Sequence, residues 1–276
     1  MTDLRIVRTD KYPDPMQHPD ILFKIPKVKR DAIAGYKNEK ARRQSASAWL
    51  LLSDMLLERG MDLALMDVNI GAQGKPMIEG INFSLSHSGD YVLCALSDTP
   101  VGVDIQKAEA RTASHVERLV DRFFTEDEKL AMEKLGRGTA EYEKMFFAIF
   151  SCKEAFIKCT GEGLSRDLRS FTVPLIRGEN ETDIDGVTYR FEVKEYGRYR
   201  NCRTTNDGFA GSEGAERKEK EVERFEEAGE RLQEISGGEA SEEDNLHDSH
   251  MEDYYCSACC SAVLSDHVLC YGQDVE

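Results

Sequence analysis

The segment FSCKEAFIKCTGEGL, residues 150–164, places charged side chains inside an apolar helical pattern. Apolar residues recur in and just before it at steps of three and four, the period of a helix with one buried stripe. They are Met145, Phe146, Ile149, Cys152, Phe156 and Cys159. Lys153, Glu154 and Lys158 lie off this stripe. One interpretation is a surface helix with a Glu154–Lys158 pair at i,i+4, worth about 0.2–0.5 kcal/mol; the other is that the charges serve a site.

The composition indicates a soluble globular protein. The chain has 276 residues, 40% hydrophobic and 32% charged, with a mean hydropathy of -0.51, which is enough for one large domain or two modest ones. No apolar run approaches the ~20 residues of a membrane-spanning helix. The start, MTDLRIVRTDKYPD, has no apolar core after a basic beginning, so no signal peptide is expected. We expect a cytoplasmic protein.

Charge is unevenly distributed along the chain. The net charge is -16, but residues 211–253 hold 16 acidic and 5 basic residues, a net of -11 that leaves -5 for the rest. This stretch, rich in Glu, Gly and Ser, predicts disorder or a solvated, partly helical insertion. Residues 24–43 hold eight Lys or Arg against Asp31 and Glu39. A local basic cluster in an acidic chain favours a small anionic ligand over a nucleic acid.

The eight cysteines do not form a compact framework, and several lie in apolar runs, where free thiols behave as small hydrophobes. They are Cys94, Cys152, Cys159, Cys202, Cys256, Cys259, Cys260 and Cys270. Reduced thiols are expected. Four residues have spacings that could bind zinc: His247, His250, Cys256 and Cys259. The favoured alternative is that these histidines belong to a polar acidic run and these cysteines to an apolar strand.

Local signals in the first part of the chain predict a helix and then strands. Residues 1–23 carry three prolines and are predicted to be irregular. A long helix is predicted at residues 39–59, ended by Gly60. In residues 74–106 a GKP turn precedes three β-rich runs, INFSLS, YVLCALS and TPVGVDIQ, which predict an antiparallel meander.

The same order of elements is predicted again further along. Thr125 and Glu128 form a capping box that opens a helix at residues 126–135. Gly161 and Gly163 are expected to end the helix that contains the charged segment. Further strands are predicted at residues 170–176, 187–196 and 254–264. The expected fold class is α+β, in which the order of a helix followed by strands occurs twice along the chain.

Two stretches carry residue types suited to chemistry. In VGVDIQ, residues 101–106, strand alternation projects Asp104 and Gln106 from one face. Asp is poor in strands, so it either faces water at a strand end or binds a hard cation. Magnesium typically uses one or two carboxylates with substrate phosphates, a count that Asp104 and Glu154 would satisfy. SLSHSG, residues 84–89, is either a structural turn or a phosphate-binding turn.

Five motifs together resemble one family in their order and spacing. They are GKP at 74–76, FSLSHSGDYVLCAL at 83–96, VGVDIQ at 101–106, RFFTEDE at 122–128 and FSCKEAFIKCTGEGLS at 150–165. The chain is similar in them to the 4′-phosphopantetheinyl transferase superfamily, Sfp type. The resemblance implies two pseudosymmetric α+β halves, with an acidic insertion, expected to be disordered, before the last strand. The halves would be residues 1–100 and residues 101–206 with 254–276, and the insertion residues 207–253.

The resemblance also implies three overlapping groups of site residues. The metal ligands would be Asp104, Gln106 and Glu154. The catalytic residues would be Asp104, Glu154 and Lys158. The cofactor-binding residues would be Lys29, Arg43, Lys75, Ser86, His87, Lys153 and Lys158.

The implied reaction transfers phosphopantetheine from coenzyme A to a serine of an apo acyl or peptidyl carrier protein. Glu154, or a water that it orients, takes the proton from the serine hydroxyl, and adenosine 3′,5′-bisphosphate leaves. By the resemblance, Asp104 and Glu154 would hold Mg²⁺ on the pyrophosphate, which Lys158 would also neutralise. Ser86 and His87 would contact the coenzyme near its 3′-phosphate, and Lys75 would lie beside the nucleotide. A monomer acting on carrier proteins, with no nucleic acid or membrane partner, is expected.

Three positions qualify this resemblance. Gln106 stands where members often have a second acid, so weaker metal affinity is expected, and a catalytically weakened coenzyme A-binding module with an acidic partner-docking segment is the alternative function. Phe150 stands where many members have Trp and is interpreted as packing. Glu128 is interpreted as the acid of the capping box, although some members use the matching acid near the metal or the acceptor.

Overall fold

A computed structural model describes residues 2–108, 113–197, 253–261 and 268–271. This part of the chain forms ten strands, five α-helices and several short 3-10 turns. The strands are β1 (Thr2–Arg8), β2 (Asn69–Ile70), β3 (Pro76–Met77), β4 (Asn82–Ser88), β5 (Tyr91–Ser97), β6 (Val101–Lys107), β7 (Glu181–Ile184), β8 (Val187–Gly197), β9 (Asp253–Ser261) and β10 (Val268–Tyr271). The helices are α1 (Lys27–Gly35), α2 (Glu39–Leu57), α3 (Ala113–Phe123), α4 (Glu126–Glu133) and α5 (Ala140–Thr160). The α+β class is confirmed.

Eight of these strands form two four-stranded sheets, and β2 and β3 form a separate two-stranded ribbon. The first sheet has the order β10-β1-β5-β4, and the second has the order β6-β9-β8-β7. All neighbours pair antiparallel except β1 and β10, which are parallel. The C-terminal strand β10 therefore joins the first sheet, although it follows the residues of the second.

The two sheets lie face to face between two layers of helix. Alternation along β5 sends Cys94 and Leu96 toward α2 and Leu93 and Ala95 toward the second sheet. The inner core joins these residues to the valines and the isoleucine of β6 and to alternate residues of β9. The opposite face of the second sheet packs on α5, with α3 and α4 beyond it. The order of layers is helix, sheet, sheet, helix.

Helix α5 is buried on nearly all sides, which differs from the predicted single buried stripe. The Thr139 hydroxyl accepts the Tyr142 N–H at its start, and Gly161, with φ 77°, ends it in the left-handed conformation that favours glycine. The charges off the stripe are buried too: Lys153, Glu154 and Lys158 are 0%, 5% and 6% exposed. The interpretation as a surface helix is wrong, because α3 and α4 cover the side that the sheet leaves.

Other elements confirm or correct the predictions. Helix α2, the capping box of α4, the β4–β5 hairpin and strands β8 and β9 lie where predicted. The irregular start is wrong, because residues 2–8 form β1 in the middle of the first sheet. The strand at 170–176 is wrong, because those residues lie in 3-10 turns and the links between them. The meander is wrong in its third run, because β6 pairs with β9 instead of β5.

Some predictions fall outside the described residues. The acidic stretch lies there apart from Asp253, as do His247 and His250 of the zinc hypothesis. Among the described helices, none combines the length and apolar character needed to span a bilayer.

Candidate active site

At Gly102 the backbone of β6 lies directly against the backbone of α5. A Cβ placed on Gly102 would lie 2.0 Å from the Ala155 carbonyl oxygen and 2.3 Å from the Cys159 nitrogen. Only glycine permits this approach. Because strand side chains alternate, Asp104 and Gln106 follow Gly102 on the same face and also point at α5.

The Asp104 carboxylate is the centre of a buried polar cluster. Its Oδ1 accepts hydrogen bonds from the Ser86 hydroxyl at 2.9 Å and from the Lys158 ammonium at 3.0 Å. Its Oδ2 accepts from the Gln106 side-chain amide at 2.7 Å. Lys158 also donates to the Ser86 hydroxyl. The strand-end alternative, an Asp that faces water, is excluded because Asp104 is 0% exposed.

The Glu154 carboxylate lies one helical turn before Lys158 on the same face of α5, the face that Lys158 turns toward Asp104. Asp104, Gln106 and Glu154 therefore supply two carboxylates and one amide on facing elements, a donor set of the type that Mg²⁺ takes together with phosphates. Among the described residues no group of three or more His, Cys, Asp or Glu could hold a metal. In the predicted ligand set only Asp104 and Glu154 belong to these residue types. The third ligand would therefore be Gln106, a water or a phosphate.

Two serines missed at the sequence level join the two sheets beside this cluster. Strand β6 is the edge of the second sheet, and its Val103 N–H donates to the Ser84 hydroxyl at 3.1 Å. Its Lys107 N–H donates to the Ser88 hydroxyl at 3.0 Å. The signal was the S-x-S-x-S alternation in β4, which places three hydroxyls on one face. Side chains of β4 thus satisfy backbone groups that an edge strand leaves open.

A second group of predicted residues lies on the α2 side of the first sheet. His87 alternates with Ser86 and so points to the face of β4 that packs on α2. Lys29 lies over the ring of Trp49 at 5.4 Å, and Arg43, on α2, is 3.9 Å from Glu39. The structure therefore separates Ser86 from His87 and places the two on opposite sides of β4.

Lys75 binds the end of α5. Its ammonium donates to the Lys158 carbonyl at 2.5 Å and to the Cys159 carbonyl at 3.2 Å. A cation at these C-terminal carbonyls is favoured by the helix dipole. Burial lowers the pKa of Lys75. The observed partners of the Lys75 ammonium are thus carbonyls of the helix that carries Lys158. Its predicted position beside a nucleotide remains a prediction.

Lys153 is not brought to the cluster, which corrects its assignment as a cofactor-binding residue. Its ammonium forms an ion pair with Glu128 at 2.9 Å, and both side chains are 0% exposed. Burial lowers the pKa of Lys153, and the Glu128 carboxylate partly offsets this shift. Glu128 also closes the capping box of α4, as predicted. In this arrangement the Lys153 ammonium is enclosed by protein groups and does not reach a ligand.

The zinc hypothesis fails on the geometry of β9. Cys256 and Cys259 are three residues apart in a strand, so their side chains point to opposite faces. Cys256 belongs to the core between the sheets and Cys259 to the core around α5. Both are free thiols. The two cysteines cannot ligate one ion.

Comparison with known proteins identifies a family. The family model described as the 4′-phosphopantetheinyl transferase superfamily matches residues 100–200, which contain β6 and α5. The chain is 42% identical to the 4′-phosphopantetheinyl transferase psf-1 of Bacillus pumilus over 105 residues, 37% of this chain and 42% of that protein. It is 32% identical to a 4′-phosphopantetheinyl transferase of Bacillus subtilis over 156 residues, 52% of this chain and 67% of that protein.

A third relative is the 4′-phosphopantetheinyl transferase Sfp of Bacillus subtilis strain 168, 34% identical over 155 residues, 52% of this chain and 66% of that protein. The chain thus spans less than half of the first of these relatives and about two thirds of the other two. It belongs to the 4′-phosphopantetheinyl transferase superfamily, Sfp type.

Proposed function

We propose that the protein transfers the 4′-phosphopantetheine group from coenzyme A to a serine of an apo carrier protein and releases adenosine 3′,5′-bisphosphate. The observation that carries the proposal is the buried contact of the Asp104 carboxylate with the Lys158 ammonium, with Glu154 one turn away on the same helix face. The relatives named as transferases support the same activity.

The chain's own residues divide the chemistry among them. Glu154, or a water that it orients, accepts the proton of the carrier serine as its oxygen forms the new bond to the phosphorus that bears pantetheine. The bond from that phosphorus to the leaving bisphosphate breaks. Lys158 offsets negative charge on the pyrophosphate, and Ser86 and Gln106 hold the Asp104 carboxylate in place. Positioning and charge neutralisation are the main contributions in phosphoryl transfer.

Magnesium bound by Asp104, Glu154 and the Gln106 amide oxygen would withdraw charge from both phosphates. Since the Gln106 nitrogen donates to Asp104, its oxygen is the atom left for a cation or a bound water. Gln106 brings no negative charge, so we expect a lower Mg²⁺ affinity than a site with a third carboxylate would have.

The coenzyme's nucleotide end would lie near the basic residues of α1 and α2. Lys29, Arg43 and His87 are on that side of the first sheet. We propose that the two four-stranded sheets, each with its long helix, correspond to the two halves that the sequence predicts, except that β10, from the predicted second half, belongs to the first sheet. We also propose a cytoplasmic location, because buried cysteines such as Cys94 and Cys152 are free thiols.

The test is the intact mass of apo carriers after incubation with the purified protein, coenzyme A and Mg²⁺. Carriers of fatty acid, polyketide and nonribosomal peptide synthesis should include at least one that gains phosphopantetheine, and a chelator should stop the gain until Mg²⁺ is restored. Glu154→Gln should lower the rate by about 100-fold or more, the range of a lost general base. Glu143→Gln, an exposed position on the same helix, should leave the rate unchanged.

Nearly full activity in Glu154→Gln would show that the role given to Glu154 is wrong. Calorimetry provides the second arm. Coenzyme A binding without transfer to any carrier would support the alternative, a catalytically weakened binding module, over the transferase.

A further inference from the structure

Lys153 and Glu128 form a fully buried ion pair that the proposed chemistry does not use. Their charged atoms are 2.9 Å apart and both side chains are 0% exposed. Replacing a buried pair by apolar residues is often neutral or stabilising, because removing two charges from water is costly. Net stability is therefore a weak explanation for the pair. What an ion pair supplies and apolar packing does not is a set of directional bonds.

The bonds of this pair converge from three segments of the chain. The Lys153 ammonium also donates to the Leu168 carbonyl at 2.7 Å and to the Phe171 carbonyl at 2.8 Å, and it lies 4.5 Å from the centre of the Phe171 ring. Glu128 accepts the Thr125 N–H at 2.8 Å through Oε2 and the Val173 N–H at 2.9 Å through Oε1. The start of α4, the middle of α5 and residues 168–173 are tied at one point.

This point lies on a different side of α5 from the Asp104 cluster. Successive helical residues are turned by about 100°, so Lys153 and Glu154 point in different directions from adjacent positions. Lys158, four residues after Glu154 and on its face, contacts Asp104. Apolar burial is non-directional, so packing on the sheet restrains rotation of α5 about its axis less than directional bonds do. The bonds of Lys153 oppose that rotation.

We propose that Lys153 and Glu128 are positioning residues that set the rotation of α5 and so hold Glu154 and Lys158 on the side of the helix that faces Asp104. The proposal rests on the proposed function, because it assigns a purpose to the placement of Glu154. It assigns neither residue a contact with coenzyme A, the carrier or the metal. The pair acts through the helix alone.

The test uses the full chain and the double variant Lys153→Met/Glu128→Gln. Methionine approximates the length of lysine without its charge, and the glutamine oxygen can still accept one of the two backbone N–H groups. We expect the thermal midpoint to fall by several degrees, because the Leu168 and Phe171 carbonyls lose their donor, with the variant still folded at 25 °C. We expect kcat to fall about tenfold or more, with the KM for coenzyme A changed by less than about twofold.

A readout apart from activity is the affinity for Mg²⁺ in the presence of coenzyme A, measured by calorimetry. A displaced Glu154 should raise the Kd for Mg²⁺ by about tenfold or more, as loss of supporting contacts does at other metal sites. A pair with a purely structural role would leave this constant unchanged in a folded double variant.

Two controls use α4, the helix that carries Glu128, and its N-cap residue. Lys129→Met/Glu126→Gln makes the same exchanges in an exposed pair of α4, 2.9 Å apart, and should change neither kcat nor the Kd for Mg²⁺. Thr125→Ala removes the hydroxyl that accepts the Glu128 N–H and leaves the ion pair. It should lower the thermal midpoint and keep kcat.

A folded double variant with wild-type kcat and wild-type Mg²⁺ affinity would overturn the proposal. If the double variant does not fold, Glu128→Asp decides the matter, because it keeps both charges but withdraws the carboxylate by about 1.5 Å, one C–C bond. The same losses are expected from it, and their absence is equally contradictory. If the wild type loads no carrier, the proposed function fails, and the Mg²⁺ affinities of the variants still judge the positioning role.

Discussion

At Gly102 a single missing side chain lets a strand and a helix touch through their backbones. The obstacles to a Cβ there are the Ala155 carbonyl oxygen and the Cys159 nitrogen. Because these are backbone atoms of a buried helix, they cannot move aside as the end of a flexible side chain would. The position of Asp104, two residues further along β6, depends on this contact.

Gly102→Ala should therefore have two effects at once: it should destabilise the protein, and it should displace Asp104. We expect the free energy of unfolding, measured by urea denaturation, to fall by about 1–3 kcal/mol, the usual range for overpacking. Gly35→Ala is the matched control, since a Cβ at Gly35 meets nothing within 4 Å. Equal stability of the two variants would contradict the close approach of β6 and α5.

The thiol of Cys152 should make stability fall at alkaline pH. Burial raises its pKa to about 12 from 9.0, while its hydrogen bond to Ser257 acts the other way. Below pH 9 both states keep the proton; between about 9 and 12 the unfolded state loses it and the folded state does not. The unfolded state then binds fewer protons, so stability falls as the pH rises, by up to about 1.4 kcal/mol per pH unit.

The comparison of wild type with Cys152→Ala isolates this contribution, because other groups titrate equally in both. The stability of the wild type relative to the variant should drop as the pH rises from about 9 to about 11, measured by urea denaturation at each pH. A constant difference between the two proteins across that range would contradict the raised pKa.

At the scale of elements, the end of α5 depends on a residue that is distant in sequence. Lys75, in the turn between β2 and β3, donates to two of the last carbonyls of the helix. Those carbonyls have no partner within a helix and are satisfied from outside it. The turn and the helix thereby fix each other, and Lys158 lies in the last turn of that helix.

Lys75→Met should lower the free energy of unfolding by up to about 2 kcal/mol, the upper range for a partly buried cation at a helix C-terminus. The affinity for coenzyme A, measured by calorimetry, should change little. Lys134→Met, at the exposed C-cap of α4, is the control and should cost less. Unchanged stability with a large loss of affinity would favour the nucleotide contact that the family resemblance implies.

Elements with local signals could be predicted from the sequence. The capping box of Thr125 and Glu128, the left-handed Gly161 and the apolar period of α5 are all readable within a few residues. Strand β1 was missed because the prolines at 13, 15 and 19 dominated the interpretation of residues 1–23, although Leu4 and Ile6 alternate correctly for a strand. The sheet to which β6 belongs depends on β9, some 150 residues later, which no local pattern reports.

The candidate site shows the same limit. Asp104, Glu154 and Lys158 were predicted because their motifs are distinctive, and the structure brings Asp104 and Lys158 into contact. Lys153 was assigned to the coenzyme because it lies next to Glu154 in the motif. Its partners, Glu128 and the carbonyls near residue 170, lie 15 to 25 residues away in sequence. Only the folded chain shows that the Lys153 ammonium binds these groups.

At the scale of the whole molecule, β8 and β9 are neighbours in the second sheet although many residues separate them in sequence. They pair antiparallel up to Gly197 and Asp253, which lie opposite each other. Residues 198–252, whose 16 acidic and 8 basic residues carry half of the chain's net charge of -16, therefore connect two positions that a hairpin turn of two residues can join.

Replacing residues 198–252 by Asn-Gly should keep the fold, Mg²⁺ affinity and carrier loading, with stability unchanged or raised because a shorter loop costs less entropy to close. A neutral Gly/Ser linker of the original length separates the effect of charge from that of length. Loss of carrier loading in both variants, with coenzyme A still bound, would instead support the acidic segment as a docking arm for a partner.

The pairing of Gly197 with Asp253 also makes this junction a point of attachment. Any folded domain whose own termini lie close together, such as a fluorescent reporter or an affinity module, could be spliced between the two strands. Such a graft would report on the state of the host or tether it to a surface while leaving both sheets and both long helices as they are.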